Sequence, residues 1–246
     1  MISRQFITDL STKYQTSEQN IAREYCQHLF LSYLYRLKGG EKMLFKGGTA
    51  LRIVFQSPRF SEDLDFSTFD LSVEEINGLV DSVLVNLSKE GLQYKKEVNP
   101  DTGGATSGGY YAIVHLMLLE FDSEIRIQVS LRSSLELKSN TALIENEFIP
   151  PYTIVYLHET ILVGEKVAAL IDRAKPRDFF DLYFILRNKQ LVNFVPKNIE
   201  NLKQKILDVL VNGWERELKV FLPTSYHPLL KDFQERLKRE IDIHIS

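Results

Sequence analysis

An α+β fold is expected: a mixed β-sheet with flanking helices over residues 1–150, then a helical module over residues 151–246. Three observations point to it. Short apolar runs with two-residue alternation end by about Leu131. From His158 onward the patterning is helical only. Between them Pro150-Pro151, with its restricted backbone, suits a boundary, and a ligand cleft is expected between the two parts.

The elements follow in order. Ser17 to Leu37 reads as an amphipathic helix, with Ile21, Tyr25, Leu29, Tyr33 and Leu37 as its apolar stripe and Gly39-Gly40 ending it. Lys42 to Phe45 is a short apolar run stopping at Gly47-Gly48, as a buried strand does at a tight turn. Ala50 to Phe55 has helical spacing with Thr49 as N-cap, and Pro58 stops it. Asp63-Leu64-Asp65-Phe66 alternates as a strand. Ser72-x-x-Glu75 is a capping box opening a helix to about Glu90, with Gly91 just beyond. Strands follow near Leu92–Val98, Tyr110–Leu119 and Glu124–Leu131. Asn99 to Gly109, rich in glycine, links two of them as a hairpin loop or a substrate gate. Helices are expected over His158–Ala174, from Pro176, over Asn198–Phe221 and over Tyr226–Ile243.

Residues 46 to 66 carry the clearest chemistry. Lys46-Gly47-Gly48-Thr49 is a glycine turn at a helix mouth, where unpaired N–H groups attract phosphate oxygens. Two glycines let the backbone approach those oxygens with no Cβ in the way. Asp63 and Asp65 are two apart on a strand, so both carboxylates share a face while Leu64 and Phe66 enter the core. Held together they repel unless a cation sits between them, and Mg²⁺ takes one or two carboxylates plus substrate phosphates. Taken singly, a Gly-Gly is more often a plain turn and an Asp-x-Asp a solvated strand edge. Their conjunction in strand–turn–helix–strand order is the signal.

Gly48-Thr49, thirteen intervening residues, then Asp63-x-Asp65 resembles the signature of the DNA polymerase beta-like nucleotidyltransferases. Within that superfamily, Gly-Gly-Thr-Ala-Leu with Arg59-Phe-Ser61-Glu-Asp63-Leu-Asp65 is similar to the AbiEii/AbiGii toxin family. A second block about a hundred residues on, Glu165-Lys166 to Asp172-Arg173 and then Arg177-Asp178-Phe-Phe-Asp181, resembles that family's lysine and Arg-Asp-x-x-Asp motifs. The resemblance implies a nucleotidyltransferase-like sheet module and transfer of a nucleoside monophosphate from an NTP. Mg²⁺ would sit on Asp63 and Asp65, with Lys166 and Asp178 beside them as catalytic residues. It implies nucleotide binding by Lys46, Gly47, Gly48, Thr49, Arg59, Ser61, Arg173 and Arg177. It further implies a toxin of a bacterial toxin–antitoxin or phage-defence pair with a separately encoded antitoxin. RNA, including the 3′ end of transfer RNA, is the acceptor class it implies, and a protein acceptor stays open.

The second block makes sense from the residues alone. Lys166, Leu170 and Arg173 fall on one helix face, and Asp178 and Asp181 lie three apart near the start of the next helix. Lys166 would contact triphosphate oxygens and Asp178 would position the substrate or the lysine. An inter-helix salt-bridge network is the alternative. One position departs from the superfamily pattern. Gln128 stands on Ile125–Leu131 where a third carboxylate is expected, with Glu124 or Asp122 as substitutes if the register differs. That leaves the general base unassigned. It also keeps two alternatives open, a phosphotransferase on the same scaffold and a non-catalytic nucleotide-binding or interaction protein.

Composition sets the limits. The chain has 246 residues, one cysteine and a formal net charge of −3. Cys26 lies among apolar neighbours, so no disulfide framework exists and a reducing cytoplasm is expected. From these residues neither a signal peptide nor a membrane-spanning segment is expected. Five scattered histidines give no zinc spacing, and His115 and His158 read as structural. The charge argues against a basic nucleic-acid-coating surface but leaves local patches open. Lys95-Lys96 and the cations of Lys231–Arg239 read as solvated faces.

Overall fold

A computed structural model of the chain describes residues 2–98, 109–132, 137–196 and 214–245. Most of the expected hairpin loop at Asn99–Gly109, and the start of the helix expected over Asn198–Phe221, lie outside those residues.

Two helices come first: α1 (Arg4–Tyr14), which the sequence reading left unassigned, and α2 (Glu18–Leu34), capped by Ser17. The expected α2 stripe at Ile21, Tyr25 and Leu29 is buried, but so are Asn20, Glu24, Gln27 and His28. The helix is therefore enclosed nearly all round rather than half-solvated. Its polar side chains are paired: Glu24 holds Arg52 at 2.9 and 3.1 Å, and the His28 ring meets Tyr152 Oη at 2.8 Å. Burial pushes His28 down to about 3, so it is a neutral core residue.

Strand β1 (Leu44–Lys46) follows a 3₁₀ turn at Gly40–Lys42 and runs directly into α3 (Gly47–Ile53). Lys46, not Thr49, is the α3 N-cap position, because the chain turns helical at Gly47 as soon as the strand ends. Strand β2 (Leu64–Thr68) carries Asp65, with Asp63 immediately before it. Helix α4 (Val73–Lys89) opens on the expected capping box, with both Ser72–Glu75 bonds formed. It buries Ile76, Val80, Val83, Leu84 and Leu87, each side chain contributing about 1.5–3 kcal/mol of transfer free energy. Gly91 follows at φ +92°, a left-handed stop.

Strands β3 (Gln93–Val98), β4 (Tyr110–Leu118), β5 (Phe121–Leu131), β6 (Ser139–Ile144) and β7 (Tyr152–Leu157) complete a mixed sheet of order β3-β4-β5-β2-β1-β7-β6. β2 pairs parallel with β5 and antiparallel with β1, and β1 pairs parallel with β7. Strands β6 and β7 bracket Pro150-Pro151, so the sheet continues past the expected boundary and the change to helices comes at His158. Their weak apolar alternation concealed them. β6 is an edge strand, with Thr141 and Leu143 exposed.

Helices α5 (Glu159–Arg173), α6 (Pro176–Arg187), α7 (Trp214–Phe221) and α8 (Phe233–His244) follow. Residues Thr224–Asp232 form 3₁₀ turns where a longer helix was expected, with Pro228 among them. Helices α2 and α4 pack on one side of the sheet. On β4 and β5 no described helix covers the opposite side: every second residue is buried, while Tyr111, Ile113, His115, Met117, Glu124, Arg126 and Gln128 keep contact with solvent. Among the described residues no helix is long and apolar enough to cross a membrane.

Candidate active site

The glycine turn fits one neighbour. Gly47 adopts φ +83°, a conformation L side chains rarely take, and a Cβ there would overlap the carboxylate of Asp65. Gly48 faces the Arg59 guanidinium and the Ser61 hydroxyl, 2.5 and 3.1 Å from where its Cβ would be. Thr49 is fully buried and its hydroxyl donates to the Asp63 carbonyl, tying α3 to the start of β2. Lys46 and Asp65 are register partners across β1 and β2. Gln27 of α2 donates to the carbonyls of Ser61 and Glu62 at 3.0 and 3.2 Å, which holds the loop leading to the aspartates.

Asp63, Asp65, Gly48, Arg59 and Ser61 from this segment line one small polar pocket with Lys166, Arg173 and Arg177 from α5 and α6, and with Gln128. The volume is about 90 Å³. Asp63 Oδ1 is buried without a hydrogen bond in the protein; the nearest cation is Arg126 Nη1 at 3.8 Å. Burial pushes the Asp65 carboxyl up to about 6 and the Asp63 charge adds to that, against the pull of Lys166, Lys46 and Arg177. Gln128 is the direct register partner of Asp65, where a third carboxylate was expected. Glu124 and Asp122 do not replace it: they pair with Arg126 at 2.6 Å and His115 at 3.1 Å, further along the open side.

The second sequence block forms the cationic wall. Asp181, fully buried on α6, accepts two bonds from Arg59 at 2.9 and 3.0 Å and one from Lys166 at 2.7 Å. Burial alone would raise its carboxyl, but Arg59 and then Lys166 outweigh that and hold it below the usual carboxylate range. Asp178 is instead held by Arg173 at 2.8 and 2.9 Å and accepts from the Lys175 amide at 3.2 Å, so it braces the α5–α6 corner outside the pocket lining. The carboxylate that positions Lys166 is thus Asp181, not Asp178. The sequence reading quoted Asp181 within its motif without a role; its signal was the i+3 spacing from Asp178, which turns it toward α5.

Lys46, Gly47 and Thr49 also lie outside the pocket lining. Lys46 Nζ is engaged by Glu165 at 3.0 Å and Ser130 Oγ at 3.3 Å, and Glu165 in turn takes Arg132. Lys46 acts on Asp65 through its field, lowering the carboxyl. Arg177 Nε is buried with no partner in the protein. A larger concavity, about 740 Å³, is elsewhere, between α1, the end of α3 and the Glu145–Phe148 loop. Its charges are self-paired (Arg52 with Glu24, Lys13 with Glu147), whereas the small pocket is lined by two buried atoms without a hydrogen bond, Asp63 Oδ1 and Arg177 Nε.

The donor set fits a hard divalent cation. Two carboxylates converge, one with a buried oxygen lacking a hydrogen bond and one held high by burial and then by its neighbour's charge, and a cation relieves both conditions. Among the described residues no group of three or more His, Cys, Asp or Glu side chains forms a metal site, so the remaining ligands would come from substrate oxygens and water.

The pocket and its frame are those of a nucleotidyltransferase. Over residues 29–240 the sequence matches the AbiEii family, described as the nucleotidyl transferase AbiEii toxin of type IV toxin–antitoxin systems, and the chain belongs to that family. Among solved structures it is similar to JHP933 from Helicobacter pylori, with a TM-score of 0.67 and 21% identity over 94% of this chain and 93% of that one. It is also similar to MenT4, a nucleotidyltransferase toxin from Mycobacterium tuberculosis, with a TM-score of 0.64 and 17% identity over 98% of this chain and 88% of that one. At those identities the likeness establishes the fold. No curated protein sequence matches the chain significantly.

Proposed function

We propose that this nucleotidyltransferase transfers a nucleoside monophosphate from an NTP to an RNA acceptor, the 3′ end of transfer RNA included, in a Mg²⁺-dependent reaction in the cytoplasm. It acts as the toxin opposed by a separately encoded antitoxin. The observation that carries the reading is the single polar pocket in which Asp63 and Asp65 face Lys166, Arg173 and Arg177. Two carboxylates suit a divalent ion, and three cations suit a triphosphate.

Asp63 and Asp65 would hold the Mg²⁺, which when bound supplies charge neutralisation at the triphosphate. Lys166, kept extended by Asp181, donates to phosphate oxygens, and Arg173 and Arg177 add charge. Ser61 offers a hydroxyl, and the missing Cβ of Gly48 makes room for the Arg59 guanidinium at the pocket wall. Arg59 is saturated by Asp181 and its own loop, so it orients that carboxylate as well as lining the pocket. The acceptor hydroxyl oxygen bonds to the α-phosphorus as the bridging oxygen to the β-phosphorus departs with its electron pair. Pyrophosphate is released and the hydroxyl proton passes to water.

The test is incubation with each α-³²P NTP, Mg²⁺ and total bacterial RNA, comparing wild type with Asp63→Asn/Asp65→Asn. Label on small RNA with wild type only is the expected result. Label on protein would move the acceptor, and transfer from γ-labelled NTP alone would make the chain a phosphotransferase.

A further inference from the structure

The open side of the sheet starts at the aspartates. Asp65 pairs in register with Gln128, and Gln128 with Tyr111, so one row runs from the carboxylate outward across β2, β5 and β4. A neighbouring row leads from Asp63, 3.8 Å from Arg126, to Ile113, the register partner of Arg126. The cations for a triphosphate stand on the other flank, contributed by α5, α6 and the loop before β2. In phosphoryl-type transfer the attacking and leaving oxygens lie roughly in line on opposite sides of the phosphorus. With pyrophosphate departing toward Lys166, Arg173 and Arg177, the acceptor has to enter over Gln128, Tyr111 and Arg126.

That surface has a definite chemistry. Tyr111 offers a half-buried ring near the guanidinium of Arg126, whose side chain is 41% exposed and is held by Glu124 at 2.6 Å, its flat face left for stacking. A ring and a guanidinium on an open sheet stack unpaired bases. The other charges there are matched internally, Lys95 with Glu97 at 2.6 Å and His115 with Asp122 at 3.1 Å, which leaves too little free cation to grip a duplex backbone.

From this placement we infer that the open side of β4 and β5 is the acceptor platform, with Tyr111 and Arg126 stacking the last unpaired nucleotides of an RNA strand so that its terminal hydroxyl reaches Asp63 and Asp65. The inference rests on the RNA-acceptor reading above. It predicts that recognition is confined to a few single-stranded terminal nucleotides.

The experiment combines kinetics with crosslinking on the full chain. Tyr111→Ala and Arg126→Ala each raise KM for a single-stranded-ended RNA on the order of 5- to 100-fold while KM for the NTP stays within twofold, and Tyr111→Phe restores the wild-type value. A blunt duplex of the same sequence competes poorly. An oligonucleotide ending in 4-thiouridine, irradiated on the wild-type protein, crosslinks to a peptide containing Tyr111. Unchanged acceptor KM in Tyr111→Ala, equal competition by the duplex, or a crosslink mapping away from β4 and β5 overturns the platform. Transfer to a protein acceptor instead of RNA overturns it as well. If wild type labels no acceptor at all, the functional reading fails separately, and the crosslink alone decides whether a strand docks here.

Discussion

Arg59 and Asp181, 122 positions apart in sequence, meet as a buried bidentate ion pair at 2.9 and 3.0 Å, and Lys166 shares the same carboxylate. One acid thus fastens the loop before β2 to α6 and fixes the lysine of α5. Removing one partner of a buried pair costs about 3–5 kcal/mol, because the charge left behind stays desolvated. Asp181→Asn is therefore expected to lower the thermal midpoint by roughly 6–20 °C, as calorimetry would record. A shift under 2 °C would mean the cations find water instead.

The turn at Gly47 gives a second prediction, and it concerns activity more than stability. Alanine there is strained at φ +83° and pushes on the Asp65 carboxylate. The backbone penalty is about 1–2 kcal/mol, which a domain of this size survives. Displacing a reacting-centre ligand by even ~1 Å can cost about 10²-fold in rate. Single-turnover transfer by Gly47→Ala should fall by about that much while circular dichroism stays native.

The third concerns pH. The Asp65 carboxyl is raised to about 6 from an ordinary value of 3.8. A raised carboxyl penalises the folded chain once it ionises: the penalty is absent below the ordinary value, grows across about pH 4 to 6, and persists above. In metal-free buffer, stability should thus decline over that window by on the order of 1–3 kcal/mol, the lower end reflecting the solvent that Asp65 still meets. Asp65→Asn should flatten the decline, raise metal-free stability at pH 7.5 and abolish transfer. Urea titrations at pH 4.5, 6 and 7.5 decide it. Mg²⁺ should also bind more weakly at pH 5.5 than at 7.5, since protons compete for the same oxygens.

Gln128 offers a gain-of-binding test. Its register with Asp65 means Gln128→Glu adds a third carboxylate to the pair. Without metal the added repulsion should lower stability by about 1 kcal/mol or more, and Mn²⁺ or Mg²⁺ affinity should rise at least several-fold by isothermal titration. Unchanged affinity would show that the ion does not sit between β2 and β5.

Much of this was legible in the sequence because it is local. The Ser72–Glu75 box, Pro176 at the first turn of α6 and the Asp63/Asp65 alternation each depend on neighbours within four residues. What escaped was non-local. β6 and β7 alternate weakly, and only pairing with β1 reveals them as sheet. Lys46 belongs to a phosphate-like turn by sequence, yet its charge is taken up by Glu165, 119 positions away. Asp178 and Asp181 look equivalent on paper, and only the angle between α5 and α6 decides which one meets Lys166.

The strand order has a consequence for how a toxic enzyme is made. A ribosome that has delivered residues up to Leu131 has already presented both aspartates, but β1 still lacks its β7 neighbour and neither Lys166 nor Asp181 exists. On the function proposed above, nascent chains, prematurely terminated fragments and products ending ahead of α5 are expected to be inactive, because they lack Lys166 and Asp181. On that reading the activity would appear only when the last third of the polypeptide arrives, the interval in which an inhibitor would have to be ready.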